Sequence, residues 1–351
     1  MKAARPLPII SDIDVVPYKN KMDPRIAIDG LVDGNYVLIE DLYSSGLLIL
    51  KELKTFLEKK YSDRSFNGQR DLRSVYQELS QRLLLFVRNN KLIVKKSPEI
   101  GWLKILYPDL NEFLLPFPQI QGLNSAWQWY EKGILIPILN RKIYPFFGTY
   151  FPTRFEHLEL FDSWLKQYRG KKRSAFDIGV GSGILSFSLL NHGFKKVYGT
   201  DTNPNSIIGL SEFQKTKYSF PQMNLIYGDL FADIDIKADL IVFNPPWIPA
   251  THKLSGIDQA IYYDDELFPR FFAEAKKHLA PDGKIVLIFS NLAQISQATD
   301  KHPIEFELSS EERFEKEEFI QKKVGSASTK TKRDQNWRDK EMVELWVLKN
   351  Q

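Results

Sequence analysis

A polar tetrapeptide with two prolines, Asn244-Pro245-Pro246-Trp247, follows the apolar run Ala238–Phe243. Such a run predicts a buried strand, and the two prolines fix the backbone immediately after it. Ligands of an open α/β sheet bind at the carboxyl ends of its strands. We expect the Asn244 amide oxygen and the Pro245 carbonyl oxygen to face that edge, where both are acceptors for one planar NH₂ group.

Two acceptors on one NH₂ group favour nucleophilic chemistry at its nitrogen. The lone pair of an amide or base amine is delocalised, and acceptors on the two protons favour rehybridisation toward an electrophilic methyl group. Because charge develops on nitrogen in the transition state, the acceptors stabilise that state preferentially. Trp247 offers a stacking face, worth about 1–3 kcal/mol for a base. The plain alternative is a proline-rich loop with a core tryptophan.

A glycine-rich turn, Asp177-Ile178-Gly179-Val180-Gly181-Ser182-Gly183, lies where a predicted strand enters a helix. Glycines there allow a tight turn and the close approach of a ligand. A dinucleotide fingerprint requires a glycine at its sixth position, which is Ile184 here. The preceding carboxylate would disfavour a pyrophosphate and favour a cation. We therefore predict a site for a sulfonium cofactor at Asp177, Gly179, Gly181 and Gly183.

Two further acids end predicted strands. Asp201 closes the run Lys196–Thr200 and could accept hydrogen bonds from both hydroxyls of a ribose, each worth about 1.5–3 kcal/mol. Asp229 follows the run Asn224–Tyr227 and could accept from an adenine amine, while Leu230 packs against the ring. The alternative for Asp201 is to cap the helix that follows.

The ordered set Asp177–Gly183, Asp201, Asp229 and Asn244–Trp247 resembles the class I S-adenosylmethionine-dependent methyltransferases. More narrowly, it is similar to the small methyltransferases with an Asn-Pro-Pro-aromatic motif, which modify release-factor glutamine or amino groups of rRNA, tRNA and DNA adenine. The resemblance covers about residues 145–350. It implies a Rossmann-like, doubly wound sheet of seven strands and S-adenosylmethionine as cofactor. It also implies a catalytic role for Asn244, Pro245 and Trp247 and a substrate contact for Pro246.

The segment Phe151–Glu156 extends the likeness toward the release-factor glutamine group, in which a proline-rich segment with Thr and Glu flanks the active site. By this resemblance, Thr153 and Arg154 are expected to bind substrate. The sequence departs from that group because Trp247 replaces a tyrosine and the front domain is longer and more basic. Protein glutamine and an exocyclic amine of an RNA or DNA base stay open as substrates. A small-molecule methyltransferase and a non-catalytic cofactor-binding scaffold are the alternatives from other classes.

Strands and helices alternate from residue 174 onward. Apolar runs predict strands at 174–178, 196–200, 224–227, 238–243 and 284–290, and helices at 184–191, 206–217 and 266–279. This spacing predicts a parallel, doubly wound α/β sheet. The runs 304–308 and 342–348 are expected to form a terminal antiparallel pair. A hairpin within 133–147 and a helix at 156–168 are expected before the first strand.

The front of the chain differs from the rest in pattern and charge. Helical spacing over 47–61 and 72–87, with one short strand at 37–39, predicts a mainly helical N-terminal domain at 1–127 and a catalytic domain with its hairpin at 128–351. Residues 1–150 hold 21 Lys/Arg against 16 Asp/Glu, and the remainder holds 27 against 28. The basic excess suits recognition of a macromolecule, protein or RNA, although an ordinary solvated face is the alternative.

Composition excludes several other classes. The 351-residue chain has no cysteine, which excludes disulfide scaffolds, iron–sulfur clusters and cysteine nucleophiles. Its five histidines lack metal-ligand spacing, so we expect no metal site and assign the histidines to solvated or helix-capping positions. No apolar run reaches the roughly 18 residues that span a bilayer, so we expect a cytoplasmic protein without a membrane partner.

Overall fold

The computed structural model describes residues 1–61, 66–216, 220–250, 260–325 and 340–351. These residues form two compact units, one of Arg5–Glu131 and one of Met1–Ala4 with Lys132–Gln351. The boundary that the sequence predicts, between residues 127 and 128, falls inside the helix Phe117–Lys132.

The unit Arg5–Glu131 is rich in helix but also contains a sheet, and the sequence predicts only one strand of that sheet. In chain order its elements are β1 (Val15–Tyr18), α1 (Pro24–Val32), β2 (Tyr36–Ile39), α2 (Tyr43–Lys60), α3 (Phe66–Ser80), β3 (Leu83–Arg88), β4 (Lys91–Leu92), α4 (Trp102–Leu106), β5 (Glu112–Pro116) and α5 (Phe117–Lys132). Strands β1, β2 and β3 are parallel neighbours, and β4 and β5 each pair antiparallel with β3.

The prediction of one helix through residues 72–87 is wrong at its end. Helix α3 stops at Ser80, and Leu83–Arg88 forms the strand β3, which is buried at four of its six positions. An uninterrupted apolar run at the centre of this mixed sheet lacks the alternation that marks a half-exposed strand, so periodicity alone does not separate it from a helix.

The second unit begins with a hairpin and then follows the alternating pattern that the sequence predicts. Its elements are β6 (Ile134–Ile136), a 3₁₀ turn (Pro137–Leu139), β7 (Arg141–Ile143), α6 (Glu156–Gln167), β8 (Ser174–Ile178), α7 (Ile184–Asn191), β9 (Lys196–Asp201), α8 (Pro204–Thr216), β10 (Met223–Tyr227), β11 (Ala238–Phe243), β12 (Ile248–Pro249), β13 (Tyr262–Tyr263), α9 (Leu267–His278), β14 (Leu279–Ser290), α10 (Leu292–Ile295), α11 (Pro303–Ser310), β15 (Phe314–Lys323) and β16 (Met342–Asn350). The predicted hairpin is confirmed as the antiparallel pair β6–β7.

Seven strands form the main sheet in the order β10-β9-β8-β11-β14-β16-β15. The first five are parallel, and β16 and β15 complete the sheet in antiparallel pairing. The chain runs outward from β8 to β10 and then returns to β11 on the other side of β8. The expected doubly wound, seven-stranded α/β fold is therefore confirmed, and β8 and β11 border the switch point at which ligands of such sheets bind.

Alternate residues of the central strands enter two separate cores. In β11, Leu240 and Val242 pack with α6, α7 and α8, whereas Ile241 and Phe243 pack with α9 and α11. All six residues of β11 are buried. Burial on both faces explains why Asp239 alone interrupts the apolar run, and it fixes the carboxyl end of β11 as a rigid support for the residues that follow.

The expected strand at 304–308 is wrong. Pro303 begins helix α11, and the ring of His302 caps it by accepting from the Glu305 backbone N–H. Proline at the first helical position favours a helix because its missing N–H is not needed there. The antiparallel partner of β16 is instead β15, whose charged, exposed residues conceal its strand character in the sequence. Of the polar stretch 322–340, residues 326–339 lie outside the described residues.

Candidate active site

The loops that follow β8, β9, β10 and β11 border a cavity of about 840 Å³. A volume of this size is typical of sites for cofactors and small ligands. Nine of the residues predicted for the site line it: Gly179, Gly181, Asp201, Asp229, Leu230, Asn244, Pro245, Pro246 and Trp247. Asp177, Gly183, Thr153 and Arg154 are described by the structure but are not part of its lining.

All three glycines of the turn after β8 have positive φ. The values are 68° for Gly179, 50° for Gly181 and 79° for Gly183, in a backbone region that residues other than glycine rarely adopt. Gly179 and Gly181 bring backbone to the cavity, as predicted. Gly183 has a different role, because a Cβ there would lie 2.7 Å from Leu210 Cδ2 and 3.1 Å from Phe187 Cε2. Its missing side chain allows α7 and α8 to pack closely.

We expect Gly183→Ala to lower the free energy of unfolding by about 1–3 kcal/mol more than Gly193→Ala does. Gly193 also has a positive φ, 91°, but a Cβ there would have no atom within 4 Å, so its variant reports the backbone strain alone. Urea unfolding of the two variants and the wild type measures the difference. Equal destabilisation by the two substitutions would contradict the packing role of Gly183.

Asp201 joins the end of β9 to the glycine turn. Its Oδ2 accepts from the backbone N–H of Gly181 at 2.8 Å, and its Oδ1 accepts from that of Asn203, also at 2.8 Å. Burial raises the pKa of this carboxyl. The Ser206 hydroxyl also donates to this carboxylate, which holds the turn and retains acceptor capacity for a ligand in the cavity.

Asp177 lies behind the glycine turn and is 1% exposed. Its Oδ2 accepts from the Ser186 hydroxyl at 2.6 Å, but its Oδ1 has no hydrogen-bond partner among the described residues. Burial raises the pKa of this carboxyl to about 7. An acceptor oxygen that is both buried and unpaired fits a nearby donor-bearing cation and disfavours a pyrophosphate.

The raised pKa of Asp177 predicts a pH-dependent stability. Because the folded-state pKa is about 7 against an ordinary 3.8, the contribution of this group to stability is fully present below pH 3.8 and is lost as the pH rises to 7. Asp177→Asn removes the titration but keeps an acceptor for Ser186. As the pH rises from 5 to 7.5, we expect the free energy of unfolding of the variant to increase by about 2 kcal/mol relative to that of the wild type. Denaturant unfolding at both pH values measures it, and parallel profiles would contradict it.

Asp229 and Leu230 border the cavity after β10. The Asp229 Oδ2 accepts from Arg270 Nη1 at 2.6 Å, a contact between half-exposed side chains that the sequence does not predict. Leu230 has φ of 47° and is buried, and its carbonyl accepts from the buried Thr200 hydroxyl at 2.6 Å. The Thr200 bond fixes this loop to the end of β9, so an apolar side chain and a carboxylate border the cavity together.

Asn244 and Trp247 are joined by a hydrogen bond. The indole Nε1–H of Trp247 donates to Asn244 Oδ1 at 3.1 Å. An indole N–H is only a donor, so this bond fixes which end of the Asn244 amide faces the ring. The oxygen keeps a second lone pair for another donor. Trp247 is half-buried and packs against both cores of the sheet, which limits its movement.

The segment before α6 supplies different residues from those that the sequence predicts. Thr153 is exposed, and Arg154 forms an ion pair with Glu341 at 3.3 Å. Pro152 and His157 line the cavity in their place. The neighbouring positions Thr153 and Arg154 therefore border the site without reaching the described wall of the cavity.

His157 contradicts the expectation that the histidines are solvated or cap helices. It is 4% exposed, and its ring meets that of Trp247 edge-on with centroids 5.7 Å apart. Burial lowers the pKa of His157 to about 4, so the imidazole is neutral at physiological pH. The helical spacing of His157, Phe161 and Trp164 was the available sequence signal, since it places the histidine on the buried face of α6.

Neither a metal cluster nor a membrane span occurs in the part of the chain that the structure describes. Within those ranges, no group of three His, Cys, Asp or Glu side chains could hold a metal ion. No helix among the same residues is long and apolar enough to cross a bilayer.

Comparison with known proteins gives the family of one part of the chain. Residues 159–317 match the model of the methyltransferase small domain. This part of the chain is a class I S-adenosylmethionine-dependent methyltransferase domain. The expected methyltransferase class is confirmed, and S-adenosylmethionine is the cofactor of the domain. The matched range includes the glycine turn, Asp201, Asp229 and the tetrapeptide.

Three relatives illustrate the similarity of the methyltransferase domain. A provisionally named protein N5-glutamine methyltransferase of Methanocaldococcus jannaschii is 28% identical over 37% of this chain and 68% of its own length. The ribosomal RNA small subunit methyltransferase C of Alcanivorax borkumensis is 29% identical over 34% of this chain and 33% of its own length. The release factor glutamine methyltransferase of Leptospira interrogans is 25% identical over 76% of this chain and 96% of its own length.

A solved structure adds a further likeness. The ribosomal protein L11 methylase of Lactobacillus delbrueckii subsp. bulgaricus is 22% identical, with a TM-score of 0.39, and the match covers 58% of this chain and 83% of that chain. The fold assignment itself follows from the strand order and directions described above.

Proposed function

We propose that this methyltransferase modifies the side-chain carboxamide nitrogen of a glutamine in a protein substrate. The observation that carries the proposal is the Asn244–Trp247 tetrapeptide at the cavity, with the Asn244 amide oriented by the Trp247 indole. An oriented acceptor at the carboxyl end of a buried strand suits a planar NH₂ group. S-adenosylmethionine, when bound, supplies an electrophilic methyl group on its sulfonium sulfur.

The cofactor end of the site is assigned to the loops after β8, β9 and β10. Asp201 would accept from the ribose hydroxyls with the acceptor capacity that its bonds to Gly181, Asn203 and Ser206 leave free. Asp229 and Leu230 would contact the adenine, and Gly179 and Gly181 would allow the close approach of the amino-acid tail. Asp177, buried behind the turn with an unpaired oxygen, favours the positive charge of that tail.

The substrate end is assigned to the tetrapeptide. Asn244 Oδ1 and the Pro245 carbonyl would each accept one N–H of the substrate nitrogen and direct its lone pair away from the carboxamide plane. These acceptors stabilise the charge that develops on nitrogen as the bond to carbon forms. Trp247 would pack against the carboxamide plane. The nitrogen gives up its extra proton to solvent after transfer, so a strong base is not required.

Charge favours a protein over a nucleic acid as the substrate. Residues 151–351 carry 27 Lys/Arg against 28 Asp/Glu, and the cavity is lined by Asp201, Asp229 and Asp264 with Arg270 bonded to one of them. Phosphate groups are poorly accommodated by such a lining. The relative that matches over the largest share of this chain among those above is a release factor glutamine methyltransferase.

The unit Arg5–Glu131 is proposed to recognise the protein substrate. A cytoplasmic location of the protein stays a prediction. Thr153 and Arg154, next to the wall formed by Pro152, remain proposed contacts for the peptide around the modified side chain. A scaffold without activity would not require an acceptor at Asn244 or an acid at Asp201, and both are present.

Transfer of a tritiated methyl group from S-adenosylmethionine into cell lysate tests the proposal. We expect label that is sensitive to protease and resistant to nuclease, with N-methylglutamine in a complete enzymatic digest of the labelled protein. Label removed by nuclease would replace protein by RNA, a result that the basic segment 51–104, with 13 basic and 6 acidic residues, would then explain. Label in neither macromolecular fraction would favour a small-molecule substrate.

A further inference from the structure

We propose that His157 recognises the carbonyl oxygen of the substrate carboxamide and so determines which nitrogen is presented for methylation. This inference rests on the proposed function and assigns a specificity-determining residue to it. The part of the cavity wall that His157 forms lies beside Trp247, at the end of the cavity that holds the tetrapeptide.

The imidazole of His157 is a buried polar group that lacks a polar partner among the described residues. It is 4% exposed and lines the cavity, yet its ring nitrogens make no hydrogen bond to any described residue, and its ring contact is the edge-on one with Trp247. Most buried polar side chains have a hydrogen-bond partner, because leaving one unpaired costs about 1–3 kcal/mol. A group from the ligand would supply the missing partner.

The protonation state of His157 suits a neutral partner. Burial lowers its pKa to about 4, and the neutral ring carries one N–H donor and one acceptor nitrogen. A neutral donor can bind a carbonyl oxygen without placing a charge beside the reacting nitrogen. The two acceptors at Asn244 and Pro245 would hold the NH₂ end of the same carboxamide.

Contacts in the structure connect these groups. Ring centroids of His157 and Trp247 are 5.7 Å apart at an interplanar angle of 89°, and the Trp247 indole donates to Asn244 at 3.1 Å. A planar carboxamide resting on Trp247 would therefore be close to the Asn244 acceptor and to the imidazole. Donor and acceptor at opposite ends separate a carboxamide from a simple amine, which lacks the oxygen.

Three substitutions test the role of His157 in the full-length protein. His157→Phe keeps the ring volume and the edge contact with Trp247 but removes both nitrogens. His157→Asn and His157→Gln each keep a neutral N–H. The amide nitrogen of Asn lies close to the position of Nδ1 of the imidazole, and that of Gln lies close to the position of Nε2. The probe is the nuclease-treated protein fraction of a cell lysate as methyl acceptor, with tritiated S-adenosylmethionine, and calorimetry gives the cofactor affinity.

We expect His157→Phe to reduce kcat/KM for the acceptor about 10–100-fold, with cofactor affinity within experimental error of the wild type and a melting temperature no lower than that of the wild type. Either His157→Asn or His157→Gln is expected to recover at least a third of the loss on a logarithmic scale. A wild-type kcat/KM in the Phe variant would overturn the inference about His157 and leave the proposed function intact. Equal losses in all three variants would do the same. Failure of the wild type to label the protein fraction would overturn the proposed function and the inference together.

Discussion

Replacing Asn244 by alanine is expected to reduce turnover by about 10²–10³-fold while the affinity for S-adenosylmethionine stays unchanged. The substitution removes the acceptor whose orientation is fixed by the Trp247 indole at 3.1 Å, and it leaves the glycine turn and Asp201 intact. Because that acceptor acts on charge that develops in the transition state, its loss lowers kcat more than it weakens binding.

Single-turnover methyl transfer and calorimetry measure the two effects separately for Asn244→Ala. The matched control is Asn224→Ala, since Asn224 is an exposed residue of β10 that does not line the described cavity. We expect the control to retain wild-type turnover. Turnover above a tenth of the wild-type value in Asn244→Ala would contradict the catalytic role of the tetrapeptide.

The second large effect is expected at the cofactor end of the site. Asp201→Ala should raise the dissociation constant for S-adenosylmethionine by about 10²–10⁴-fold, because two charge-assisted hydrogen bonds to the ribose are lost. The variant also removes the acceptor that holds the Gly181 backbone at 2.8 Å, so the turn loses its attachment to β9. Both losses act on binding of the cofactor before any chemistry.

Calorimetric titration measures the affinity of Asp201→Ala, and circular dichroism confirms that it is folded. Asp282→Ala is the matched control, because its exposed carboxylate pairs with Lys171 and it is not among the residues lining the cavity. We expect the control to bind the cofactor as the wild type does. An unchanged dissociation constant in Asp201→Ala would exclude Asp201 from the cofactor site.

Local patterns were sufficient to predict the methyltransferase sheet. The strands β8 and β11 have the predicted bounds, because each is an apolar run buried on both faces and limited by polar or glycine residues. Motifs that follow such runs lie at one edge of a parallel sheet, so the sequence alone predicts that Gly179, Asp201 and Asn244 lie close together. Nine of the predicted residues do line one cavity.

Local patterns failed in three places, each for a different physical reason. The run Leu83–Arg88 became a strand because β2 and β5 flank it, and 304–308 became a helix because Pro303 and His302 begin one. Strand β15 was missed because it lies at the edge of the sheet, where charged residues are common and alternation is weak.

The sequence by itself determined the kind of chemistry, because the glycine turn, the acids and the Asn-Pro-Pro-Trp tetrapeptide are contiguous signals at predicted strand ends. Only the tertiary structure decided how those groups are held. The packing role of Gly183 depends on Leu210, the ion pair of Asp229 depends on Arg270, and the environment of His157 depends on Trp247. Each partner comes from a distant part of the chain. Burial that follows from packing, rather than residue type, shifts the pKa values of Asp177 and His157 and leaves a buried oxygen of Asp177 without a partner among the described residues.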